Sequence, residues 1–259
     1  MASLVDYFFT AGLDTEMELE PHFPAKPATE DPQPSTNGPY KCRILQHFPE
    51  NCRGFSFSKE ATAMLVMPNG LHFFTQAHPL MRQARPPFRH SFIITREDGK
   101  RVYGFALLFP EEVTHPGVKA ALKLLETSRV FRNKAASLSS TASPGAQPNP
   151  IRTESASTFR LSSCDQIFSM KAIGVLSRWP FAHGLFGWLE DLWSLIFFRS
   201  PHLPPDVTVE SFVYNILFEA GLGSPGQCLV VQGPNTQHFC FQPGKPHCLP
   251  VLKLGMTLG

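Results

Sequence analysis

The chain has 259 residues, 42% of them hydrophobic, which is enough for one large domain or two small ones. The formal net charge is only +2, so nothing draws the protein as a whole to nucleic acid or to an anionic membrane, and no nucleic-acid partner is expected. Phe is abundant, at 23 residues, and is read as aromatic core; the 25 prolines fall mainly in a few stretches and mark loops rather than general disorder.

In chain order, Leu4 to Thr10 reads as a first strand ended by Gly12. The prolines between residues 20 and 39 make a surface insert. Tyr40 to Phe48 is a short strand stopped by Pro49. Thr62 to Met67 reads as a compact apolar strand that Pro68-Asn69-Gly70 turns back into Leu71 to Thr75, a second hairpin candidate. Residues 77 to 89, with Arg82, Arg85 and Arg89, read as a basic loop. The strongest signal follows. His90 to Thr95 and Val102 to Phe109 are β-branched and aromatic runs joined through Glu97-Asp98-Gly99-Lys100. Asp-Gly favours a tight type I′ turn, and two such strands are expected at the centre of a sheet.

Glu111 to Ser128 has Val118, Leu122 and Leu125 at helical spacing, with Ala121 and Leu124 widening the stripe. Residues 127 to 158 read as a linker-like insert, clearest from 133 onward, where Ser, Ala, Pro and Thr dominate. Lys171 to Ser177 is another strand. From 182 to 198 an apolar helix puts Leu185, Leu189, Leu192 and Ile196 on one face, with Glu190, Asp191 and Ser194 toward the other. The adjacent carboxylates argue against a bilayer span and for packing on a sheet. Thr208 to Ala220 reads as a second helix, capped by Thr208, with Phe212, Ile216, Val213 and Leu217 on its apolar side. Gln227 to Gln232 and Gln237 to Gln242 make a final hairpin. Strands come first and helices cluster later, which favours an α+β fold: an antiparallel sheet with helices packed on it.

Chemical motifs are scarce. No phosphate loop, nucleophile elbow or zincin helix is present. His238, Cys240, His247 and Cys248 are poorly spaced for structural zinc, so no metal is assigned. The six cysteines form no CxxC pair, no local signature supports a Cys-His nucleophile, and free thiols in a reducing, cytoplasmic setting are expected. The mixed-sign turn Arg96 to Arg101 reads as a solvated tip that a partner could contact.

Several segments, in order, carry a resemblance. Phe92 to Thr114 (FIITREDGKRVYGFALLFPEEVT), Leu4 to Glu16, Phe48 to Phe57, Ala63 to Pro79, Lys171 to Phe181 and Val209 to Leu229 resemble the upstream DENN (uDENN) region of DENN-domain proteins, nearest to the large members that also carry RUN and PLAT domains. The resemblance implies a longin-like antiparallel sheet of about five strands flanked by helices, spanning residues 1–242, with 243–259 as a diverged tail. It stops about where a central DENN module would begin, so a fragment, a truncated isoform or a diverged relative is expected. DENN proteins are exchange factors for Rab GTPases in vesicle-mediated transport. The implied partner is therefore a Rab, bound without cofactor or covalent chemistry, in the cytoplasm and on the surface of Golgi or endosomal membranes. The alternative is a Rab-binding or adaptor module without exchange activity. No catalytic residue carries over. The polar sides of the Glu111–Ser128 and Thr208–Ala220 helices, with Glu210 and Tyr214 named on the second, are the expected partner contacts.

Overall fold

The structure is a computed structural model that describes residues 2–22, 38–52, 56–76, 78, 87–139, 166–198, 208–224, 226–235 and 237–243. Arg82 and Arg85, His247 and Cys248, residues 140–158 of the insert and the tail after Pro243 lie outside them.

An antiparallel sheet organises the molecule. β2 (Tyr7–Gly12), β3 (Arg43–Phe48), β5 (Phe88–Thr95), β6 (Arg101–Glu112) and β7 (Ile167–Ser177) run in the order β3-β2-β7-β6-β5, and β4 (Phe73–Thr75) pairs with the start of β7, in line with β2; apart from this sheet, the short β1 (Ala2–Ser3) pairs with β8 (Gly221–Leu222). This is the longin-like α+β architecture expected from the sequence. The long hairpin β5–β6 lies at one end of the sheet rather than at its centre, because β7 takes the middle by pairing β2 on one side and β6 on the other. The turn also differs from a type I′ pair. The Gly99 N–H donates to the Arg96 carbonyl at 3.0 Å, so Glu97 and Asp98 are the central residues and Gly99 follows them at φ +74°. A three-residue loop with Gly in the left-handed region accommodates the strand twist as well as the two-residue loop does.

Strand alternation sorts the apolar residues to two faces. On the first face, Phe105, Leu107, Phe109, Ile173 and Val175 pack against α3 (Ala182–Phe197) and the last helix. The buried side of α3 is the one expected, with Leu185, Trp188, Leu189 and Leu192 fully covered, each burial stabilising by roughly 1.5–3 kcal/mol. Two positions differ. Ile196 is exposed, and Asp191, expected on the polar side, is buried. The carboxylate is held because Asn235 donates to it from its backbone N at 3.0 Å and from Nδ2 at 2.6 Å. Asn235 lies beside the hairpin β9 (Leu229–Gln232) and β10 (His238–Phe241), which lies against α3 at two glycines: a Cβ on Gly184 would come 2.6 Å from the Phe241 ring and one on Gly187 2.8 Å from Phe239.

On the second face, Tyr7, Phe9, Ala11, Val102, Ala106 and Leu176 meet α1 (Lys59–Val66) and α2 (Pro116–Ser139). The segment read as a strand from Thr62 is therefore a helix. Ser58 caps it, its Oγ accepting from Ala61 N at 3.3 Å, and Thr62, Ala63 and Val66 are buried at helical spacing. Strand propensity loses here to a capped run of good helix formers (Lys59, Glu60, Ala61). α2 begins later than expected, because β6 runs on to Glu112, and continues to Ser139, so helical backbone reaches into the insert at 127–158. Val118 and Leu122 are buried, whereas Leu124 is exposed. No helix among the described residues is long and apolar enough to cross a membrane.

Polar anchors tie the edges. Asp6 is buried and accepts from Arg178 Nη2 at 2.7 Å and Nε at 3.1 Å, and this bidentate pair raises the Arg178 pKa further. Arg89, read as part of a basic loop, instead grips Glu190 of α3 at 2.6 and 2.7 Å. Cys228 and Cys240 are joined as a disulfide across the β9–β10 hairpin, which differs from six free thiols.

Candidate functional site

The last helix starts at Thr208. The Thr208 N–H donates to Ser211 Oγ at 3.3 Å, and the two hydroxyls lie 3.2 Å apart, a reciprocal arrangement that fixes the entry to α4 (Val209–Tyr214). From Asn215 to Glu219 the helix widens to π geometry, with Ala220 N donating to the Asn215 carbonyl at 2.8 Å and Asn215 Nδ2 donating to Glu219 Oε2 at 2.6 Å. Such π turns recur at functional sites because they rotate the side chains that follow. Here Val213, Ile216 and Leu217 stay buried on the sheet while Tyr214 and Phe218 face outward.

Between this helix, the ends of β2 and β3, and the end of α3 lies a groove of about 930 Å³. Phe8 and Ile173 contribute from the sheet, Gln46 and Phe48 from β3, Lys59 from the start of α1, Ile196 from α3, and Glu210 and Tyr214 from α4. Phe48 and Tyr214 line the groove, and Phe218, outside the lining, touches both. Tyr214 and Phe218 rings stand 5.0 Å apart, and Phe48 meets Phe218 edge-on at 5.5 Å. All three are roughly half exposed (44% for Phe48, 52% for Tyr214, 51% for Phe218), and Ile196 is exposed to a similar degree. Apolar side chains left in water and gathered in one place are the usual mark of a protein-binding surface, where buried aromatics carry most of the affinity.

The charges around it are sparse and mixed. Glu210 keeps its carboxylate ionised below the ordinary range, first because its own backbone N–H at the helix start donates to it and then because the Thr208 hydroxyl does. Lys59 and Glu50 also line the groove. Among the described residues nothing resembles an activated nucleophile. Burial pushes the Cys42 thiol up to about 12, so it stays protonated at neutral pH. Cys52 lies 3.7 Å from Asp6 Oδ1, and its backbone N–H donates to the Tyr7 hydroxyl. No cluster of three or more His, Cys, Asp or Glu side chains suited to a metal ion occurs among the described residues.

Glu210 and Tyr214, both expected as partner contacts, thus lie together on one groove. No described side chain of α2 lines it. Sequence reading missed Phe48, Phe218 and Ile196. The signal for Phe218 was present: Tyr214 and Phe218 are four residues apart and lie off the stripe of Val213, Ile216 and Leu217, so they share an outward face.

Residues 42–109 match the family model of the uDENN domain. The matched stretch covers β3, α1, β4, β5 and most of β6, and it supplies Gln46, His47, Phe48, Glu50 and Lys59 to the groove; Glu210 and Tyr214 come from chain beyond it. The uDENN domain is found in DENN-type exchange factors for Rab GTPases. No solved structure matches the chain.

Proposed function

We propose that this chain is the upstream lobe of a DENN-type guanine-nucleotide exchange factor and that the groove between β2, β3 and α4 is its contact with a Rab GTPase. The observation that carries the reading is the joining of the uDENN stretch to the exposed Phe48–Phe218–Tyr214 cluster: the family supplies the class of partner, and the cluster supplies a surface with unburied aromatic anchors. Exchange needs no covalent chemistry. A factor that binds nucleotide-free Rab more tightly than nucleotide-bound Rab weakens nucleotide binding by the same factor, by linkage. The protein then needs only shape, apolar anchors and a few charges, which the groove supplies through Phe48, Tyr214, Ile196, Lys59 and Glu210.

The test is equilibrium binding of the purified chain to a panel of Rab proteins, each nucleotide-free and GDP-loaded. The reading expects one or a few Rabs to bind, tighter when nucleotide-free, and expects Tyr214→Ala with Phe218→Ala to weaken that binding. Binding to no Rab in the panel in either state overturns it. Equal binding to both states leaves a Rab-binding module without exchange activity.

A further inference from the structure

The tip of the β5–β6 hairpin and the end of β7 border an open surface pocket, of about 540 Å³, lined by Arg96, Gly99, Lys100, Arg101, Val102, Tyr103 and Arg178. Four of these seven residues are cationic, in a chain whose net charge is only +2. Nearby carboxylates offset part of that charge. Asp98 lies 3.7 Å from Arg96 Nη1 and 3.2 Å from Lys100 Nζ, and Asp6 takes Arg178 through Nη2 and Nε. Glu97, exposed at the tip, is not part of the lining. Arg101 has no carboxylate within ion-pair reach among the described residues. With Glu97 counted beside the two paired carboxylates, the four cations still leave this end of the hairpin net positive.

We propose that this basic pocket binds a phosphate-bearing ring, either an inositol-phosphate lipid headgroup or its soluble counterpart. The positive excess favours a phosphate, which guanidinium groups recognise by paired N–H donors. The volume exceeds what a bare phosphate needs and falls within the range of small-molecule sites. Tyr103 adds a ring against which a sugar face can lie, while Lys100, with its side chain 74% exposed, can fold over an incoming anion. The groove used for the Rab reading shares no residue with this pocket, so either proposal can fail alone.

The experiment uses the full chain. Sedimentation is measured with phosphatidylcholine vesicles containing phosphatidylinositol monophosphate and with vesicles of equal charge density made from phosphatidylserine; calorimetry is run with inositol trisphosphate. The proposal expects binding to the inositol lipid above the phosphatidylserine level, competed by the soluble headgroup, with Lys100→Ala plus Arg101→Ala weakening it about 25-fold, near fivefold for each cation. Lys123→Ala, on α2 and outside the pocket, is the control for a general charge effect. Binding of inositol trisphosphate without vesicle binding assigns the site to a soluble ligand. Equal binding to phosphatidylserine vesicles, binding that survives the double substitution in a protein of unchanged melting temperature, or no binding to either probe overturns the pocket.

Discussion

Asp191 gives the sharpest test of how this fold is held. The residue is only 5% exposed, and its carboxylate joins α3 to Asn235, between β9 and β10. Asp191→Ala removes the acceptor for two hydrogen bonds, from Asn235 N at 3.0 Å and Nδ2 at 2.6 Å, and leaves both donors part-buried. Bonds to a charged group are worth about 1.5–3 kcal/mol each, so the expected cost is about 3–5 kcal/mol. Asp191→Asn keeps one oxygen as an acceptor and should cost about half as much. Asn235→Ala keeps its backbone N–H and should cost about 1.5–3 kcal/mol, the worth of one charge-assisted bond. Urea unfolding of the two alanine single variants and their double variant gives the coupling, expected at about 1.5–3 kcal/mol because each single substitution breaks the same side-chain bond. Hydrogen exchange should show the loss concentrated in the β9–β10 hairpin. A cost under about 1 kcal/mol for Asp191→Ala, or costs that simply add, would refute the claim that this buried carboxylate latches the hairpin to the helix.

Three further outcomes follow from the same geometry. Gly174 faces the Phe9 ring across β2–β7, and a Cβ there would also sit 2.7 Å from the Phe105 carbonyl oxygen, so Gly174→Ala should destabilise by about 1–3 kcal/mol in urea titration. Burial raises the pKa of Cys42, from 9.0, and of Tyr40, from 10.0, to about 12 in each case. The sign is that of groups raised on folding: their contribution is fully present below pH 9 and is lost as pH rises toward 12, so the melting temperature should fall over that window. Tyr40→Phe with Cys42→Ala should flatten that fall, and an unchanged slope would rule out this origin. In the groove, Tyr214→Ala removes a half-exposed ring, so it should leave the melting temperature within a few degrees while weakening Rab binding at least tenfold, as an interface anchor worth about 1.4 kcal/mol or more would.

Periodicity made the sheet and α3 legible in the sequence, because their signals come from burial itself. The runs at Tyr7, Phe92, Phe105 and Ile173 alternate between two covered faces, and Leu185, Leu189 and Leu192 recur at helical spacing. Thr62 to Met67 was misread because eight helical residues are too few for the period to declare itself, and the deciding feature was one hydroxyl, Ser58. The hairpin turn was misjudged by a single position, since Gly99 can close either a two- or a three-residue loop and only the Arg96–Gly99 hydrogen bond separates them. Asp191 was placed outside because its partner, Asn235, is 44 residues away, and no local rule sees that far. The groove is in the same class. Glu210 and Tyr214 were legible as exposed helix positions, but Phe48 and Ile196 join them only through tertiary packing.

The measurement that bears most directly on the central claim is release of fluorescent GDP from a panel of purified Rab proteins, with the full chain and with its Tyr214→Ala, Phe218→Ala variant. Release should be faster from one or a few Rabs, and the double variant should return the rate toward the intrinsic one. Release unaccelerated for every folded Rab, or acceleration that the groove variant leaves untouched, would contradict it.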